Sequence, residues 1–120
     1  VAELADAWVK SDDPVRRECG YGLLYEASKF SGKKAPGDDF FLSHVARISE
    51  TIESESEKVR LAMGAALMGI GKRSAALNAA ALKVARAVGP IEFTNASGNC
   101  EPFDVVKHLT SDRLREKLGV

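Results

Sequence analysis

Two pairs of adjacent cations stand out for the chemistry they could do, Arg16-Arg17 and Lys72-Arg73. Guanidinium and ammonium groups neutralise phosphates and donate hydrogen bonds to their oxygens, so all four residues are candidate contacts to a DNA backbone. Lys72-Arg73 also has a structural use, because cations at a helix C-terminus complement the helix dipole. Lys33-Lys34 lies in Ser31-Gly-Lys-Lys-Ala-Pro-Gly37, a loop by composition, where paired lysines are ordinarily solvated. Trp8 could stack on a base, but its place four residues after Leu4 better suits a packed helix position.

Other chemistry is thinly supplied. His44 stands four residues after Phe40 and four before Ile48, which puts it at the edge of an apolar stripe, and no Ser or Cys is placed to be its nucleophile. His108 is equally unsupported. Cys19 and Cys100 lie far apart, without a CxxC or a His at ligand spacing, so neither a disulfide framework nor a metal site is expected. Gly69-Ile-Gly-Lys72 fails as a phosphate loop because Arg73 occupies the place of the required Ser or Thr. The residues therefore name no catalytic group, no metal and no cofactor.

The chain that carries these side chains has 120 residues, enough for one domain over residues 1–120 but not for two independent cores. Its 45% hydrophobic and 28% charged composition excludes disordered and collagenous classes. No window approaches the roughly 20 apolar residues of a membrane span, and the first residues lack a signal pattern, so a cytoplasmic location is expected. Seventeen Lys and Arg balance 17 Asp and Glu. Residues 1–60 hold 9 cations against 12 carboxylates and residues 61–120 hold 8 against 5, which makes the second half the better anion partner.

Apolar spacings of three and four run through most of the chain, so the expected class is all-α. A first helix over residues 2–10 puts Leu4 and Trp8 on one face and stops at the capping run Ser11-Asp-Asp-Pro14. A second runs from Pro14 to Phe30 with Val15, Cys19, Leu23, Ala27 and Phe30 as its expected buried stripe, and with Gly20 and Gly22 as sites of close helix approach. A third opens at Asp38 and buries Phe41, Val45, Ile48 and Ile52. The fourth carries Val59, Ala62, Met63, Ala66, Leu67 and Ile70. The fifth starts at Ser74, carries Leu77, Ala81, Val84 and Val88, and stops at Gly89-Pro90. A polar loop over residues 94–99 and two short helices, 102–109 and 111–118, complete the reading.

The segments Val15-Arg-Arg-Glu-Cys-Gly-Tyr-Gly-Leu and Val59-Arg-Leu-Ala-Met-Gly-Ala-Ala-Leu match in Val, Arg, Gly and Leu at an offset of 44. Helix pairs repeating every 40 to 47 residues or so are the HEAT and armadillo pattern. The expected architecture is thus an α-α superhelix in which each pair covers the apolar stripe of the next. At that offset Val15 and Val59 are core. Gly20, Gly64, Ala65 and Ala66 permit close packing, and Arg16 and Arg60 recur beside acidic turns, where they can bond an Asp or Glu.

Ser56-Glu-Lys-Val-Arg-Leu-Ala-Met-Gly-Ala-Ala-Leu-Met-Gly-Ile-Gly-Lys-Arg73, then Ala87-Val-Gly-Pro90 and Gly98-Asn-Cys-Glu-Pro-Phe103, is similar to the C-terminal part of the DNA alkylation repair enzyme family, helical HEAT-like repeat proteins of the AlkD type. Trp8-Val-Lys-Ser-Asp-Asp-Pro-Val-Arg-Arg17 resembles the preceding repeat of that family. The resemblance implies a concave groove that holds duplex DNA by its phosphates. It also implies excision of N-alkylated purines by a carboxylate and aromatic walls, aided by an arginine on the backbone. Arg17 best matches that arginine. A second aromatic wall would fall near Ala65, which has no ring. The carboxylate would lie upstream of Val1, with Asp6 and Asp12 later than its place in the pattern. Cys100 would pack the closing turn against the last repeat.

The function expected first is therefore part of a double-stranded DNA groove formed by Arg16, Arg17, Lys72 and Arg73. The second is a non-catalytic repeat scaffold for a protein partner, which the zero net charge and the absent ring favour. Self-association through an end of the stack is a further partner class.

Overall fold

The computed structural model describes residues 1–92 and 102–120, and the described residues form an all-helical array. Its helices are α1 (Ala2–Trp8), α2 (Pro14–Ser28), α3 (Asp38–Thr51), α4 (Glu57–Gly71), α5 (Ala75–Val88), α6 (Val105–Leu109) and α7 (Asp112–Leu118). Local chemistry sets their starts. Asp13 accepts from the Val15 N–H with Pro14 at the first helical position, and Ser56, Ser74, Asp104 and Ser111 cap α4 to α7 in the same way. Gly89, at φ 77°, ends α5 in a conformation that favours glycine. The chain then extends, and Ile91 and Phe103 exchange both backbone hydrogen bonds at 2.8 Å.

The stacking is that of a HEAT-like helical repeat. α2 packs most extensively on α4, α3 packs on α5, and α6 closes over both α4 and α5. Glycine lets these helices approach. A Cβ at Gly69 would collide with the Ser28 side chain, and one at Gly71 would lie 2.6 Å from a Leu109 methyl. A Cβ at Gly20 would lie 2.6 Å from the Val9 backbone nitrogen, so α2 touches the end of α1 there.

The repeat is real, but its register is 43 rather than 44. At that offset the buried residues of α2, namely Gly20, Tyr21, Leu24, Ala27 and Ser28, fall on Met63, Gly64, Leu67, Ile70 and Gly71, all buried in α4. α3 and α5 match at an offset of 37, because the α2–α3 connector is six residues longer than the α4–α5 connector. The shift corrects the expected α2 stripe. Val15 is 65% exposed whereas Val59 is 1% exposed, Cys19 is exposed, and so is Phe30, which lies beyond the helix end. Leu4 is exposed as well, with Trp8 half-buried. Gly22 faces open space and serves no close contact. The α3 expectations hold, since Phe41, Val45, Ile48 and Ile52 are all buried, and the α4 stripe holds except for a half-buried Ala62.

No described helix is long and apolar enough to cross a membrane. The polar run 94–99 and Cys100 lie outside the described residues.

Candidate nucleic-acid interface

The four cations separate into two that are held inside the fold and two that are presented outward. Arg17 is held. Its Nε and Nη2 donate to the two carboxylate oxygens of Glu55, each at 2.7 Å, and its Nη1 donates to the Ser11 and Asp12 carbonyls at 3.0 and 3.1 Å. This two-pronged pair joins the start of α2 to the turn before α4, with Glu55 only 9% exposed. The hydrogen bond to Glu55 raises the Arg17 pKa further above its ordinary value, against the opposing effect of desolvation. Arg60, its counterpart at offset 43, donates to the Ile52 and Glu53 carbonyls in its own turn. An arginine three residues after the Pro14 start, and another likewise three after Glu57, thus fasten each repeat's turn. The bonding to an acidic turn that the sequence suggests for Arg16 and Arg60 holds for Arg60, through the Glu53 carbonyl, and passes from Arg16 to Arg17.

Arg16 is exposed, with its guanidinium carbon 5.8 Å from the centre of the half-buried Trp8 ring. Trp8 is a packed helix residue, as expected, but it packs on α2, where a Cβ at Gly20 would lie 3.0 Å from its own Cβ, and not through the exposed Leu4.

At the other end of the α2/α4 layer, Lys72 is exposed and Arg73 is held. Arg73 Nη1 donates to the Ser28 and Phe30 carbonyls at 2.6 and 2.8 Å, and Nη2 to that of Pro36 at 3.4 Å. Its guanidinium lies 4.5 Å from the Phe41 ring centre. One side chain therefore clamps the long connector between α2 and α3 onto the start of α5. Lys33 and Lys34 are exposed on that connector.

The contacts Arg17–Glu55 and Gly69–Ser28 show α2 and α4 running in the same direction, N-terminus beside N-terminus. A 15-residue helix rises about 22 Å, so Arg16 and Lys72 stand roughly 20 Å apart along the layer. Lys72 opens onto a cleft of about 790 Å³ whose lining also includes Tyr25, Lys29 and Lys117. No motif in the sequence marks these three residues. Tyr25 and Lys29 are four apart on one helix, a spacing that brings their side chains together, but nothing in the linear sequence joins Lys117 to them.

His44 is 2% exposed and stacks edge-on with Phe40. Its Nε2 lies 3.2 Å from Asp6 Oδ1, near enough for an ion pair but poorly aligned for a hydrogen bond. Burial holds its pKa below the ordinary value, with Lys10 and Arg47 acting in the same direction and Asp6 against it. The expectation that His44 edges the core understates its burial. His108 is exposed beside Phe103, and Ala65 is half-buried on α4. Asp6 pairs with Lys10 at 3.2 Å.

No protein-family model and no curated protein matches the sequence. Among solved structures, the chain is similar to a protein described as belonging to a new family related to the HEAT-like repeat DNA glycosylases with affinity for branched DNA structures. The likeness has a TM-score of 0.76 at 18% identity and covers 98% of this chain and 50% of that one. The fold is thus a HEAT-like repeat, and the chain spans half the length of that neighbour.

Proposed function

We propose that this chain supplies part of a DNA-binding surface in a protein of alkylated-DNA repair, holding the duplex by its phosphates in the cytoplasm. The observation that carries the reading is the match of 98% of the chain to a HEAT-like protein described as related to DNA glycosylases and as having affinity for branched DNA. The repair context rests on the sequence resemblance. Arg16 and Lys72 are the phosphate contacts, because they are exposed and project from the two ends of the α2/α4 layer. Arg17 and Arg73 have their guanidinium groups committed to Glu55 and to backbone carbonyls, so they position the surface instead of touching DNA.

The test is fluorescence anisotropy of the chain with duplex DNA across a salt series, with and without an alkylated base. Affinity should fall steeply as salt rises, and Arg16→Ala and Lys72→Ala should each make the log–log slope shallower by about one. Binding that ignores salt, or no binding at low salt, would overturn the reading in favour of a repeat scaffold for a protein partner.

A further inference from the structure

The cleft at the C-terminal ends of α2 and α4 has a shape that duplex binding does not use. Its volume of about 790 Å³ lies in the range of pockets that enclose small molecules, about 300 to 1,000 Å³. A duplex, with two backbones around stacked pairs, does not enter such a space. A single strand does.

The lining is matched to one. Tyr25 is half-buried, and its ring edge is seated against Gly69, where a Cβ would come within 2.9 Å of Cδ1. Lys29 places its ammonium 4.4 Å from the centre of that ring and 3.5 Å from Glu26 Oε1, a surface pair with side chains 53% and 57% exposed, whose weak hold leaves Lys29 room to swing to a phosphate. Lys72, just past the end of α4, and Lys117 of α7 complete the cationic lining, so the three lysines come from three separate parts of the fold.

The wall of the cleft is preset. Helix C-terminal carbonyls repel an anion, but Arg73 donates to that of Ser28 at the end of α2, and its bonds to the Phe30 and Pro36 carbonyls fix the connector that follows. An aromatic face among cations is the arrangement that binds unpaired nucleotides, with bases stacking on the ring and phosphates on the ammonium groups.

We propose that this cleft takes an unpaired DNA strand, one base on Tyr25 and the adjoining phosphates on Lys29, Lys72 and Lys117. The inference rests on the DNA-binding reading above and names a second kind of substrate for it.

The experiment compares a blunt duplex with the same duplex carrying a short unpaired overhang that contains a fluorescent adenine analogue. Binding by the full chain is followed by anisotropy, and stacking by quenching of the analogue. The overhang form should bind about tenfold more tightly, with quenching. Tyr25→Leu should abolish both the advantage and the quenching, and Tyr25→Phe should keep them. Lys117→Gln, at an exposed site, should cut the advantage about threefold with blunt-duplex affinity unchanged. Circular dichroism checks that each variant is folded, and Lys117→Gln decides the matter should Tyr25→Leu not fold. Equal affinity for blunt and overhang duplexes would overturn the cleft proposal and leave duplex binding standing. No binding to either would overturn both. An overhang advantage that survives in both Tyr25→Leu and Lys117→Gln would put the strand elsewhere and overturn the assignment.

Discussion

Two residues do work that their neighbours in sequence could not. Arg17 sits beside Arg16, yet it bridges repeats through a carboxylate that is 9% exposed, while Arg16 faces solvent. Arg17→Ala would strand Glu55 without its partner, a loss expected to cost about 2–4 kcal/mol in urea unfolding, and Arg17→Lys should recover only part because an ammonium lacks the planar fork. The second is His44. Because burial lowers its pKa in the folded state, the unfolded chain takes up its proton first as pH falls. Its contribution to stability is therefore complete above the ordinary histidine value near 6.5 and is lost as pH drops below it toward the lowered folded value. Melting temperature followed between about pH 7 and pH 5 should show this loss, and His44→Gln should flatten that part of the profile.

At the scale of helices, α2 is where packing overrode pattern. Its buried stripe is made of Gly20, Tyr21, Leu24, Ala27 and Ser28, of which two are small or polar contact points that an apolar count passes over. Val15 and Cys19, which carry the apolar pattern, face outward. The two glycines of this helix give a paired test by thermal unfolding. Gly20→Ala must push α1 away from α2 and should destabilise by about 1–3 kcal/mol, as overpacking does. Gly22→Ala meets open space inside a helix and should stabilise by about 1 kcal/mol through helix propensity. Opposite signs for the same substitution two residues apart would confirm the packing of α1; a loss of stability in both would contradict it.

Across the whole molecule, stability comes from each repeat covering the next, and one buried polar side chain ties the last helices on. Asn78 of α5 is 3% exposed, and its Nδ2 donates to the Gly71 and Leu109 carbonyls, both at 3.1 Å. It thereby fastens the end of α4 and the end of α6 to α5. Asn78→Ala leaves two buried carbonyls without a donor and should cost about 2–3 kcal/mol. Hydrogen exchange should then report opening of α6 and α7 before α2 and α4, because in a stacked array each unit leans on its neighbour. Uniform loss of protection along the chain would argue against that order.

What the sequence determined by itself was the helical class, the caps and most of the element starts. These depend on short-range chemistry: Asp13, Ser56, Ser74 and Ser111 accept N–H groups two or three residues away. The stripes of α3 and α4 were legible for the same reason, since both are rich in large apolar residues at helical spacing. The pairing of repeats was visible to within one residue, and that one residue exchanged the roles of Arg16 and Arg17. Only the tertiary structure decided which cation is spent on Glu55, because that bond spans 38 residues. It alone brought Lys117 beside Tyr25 and Lys72, for a cleft is a relation between surfaces that stacking creates and that no linear spacing records.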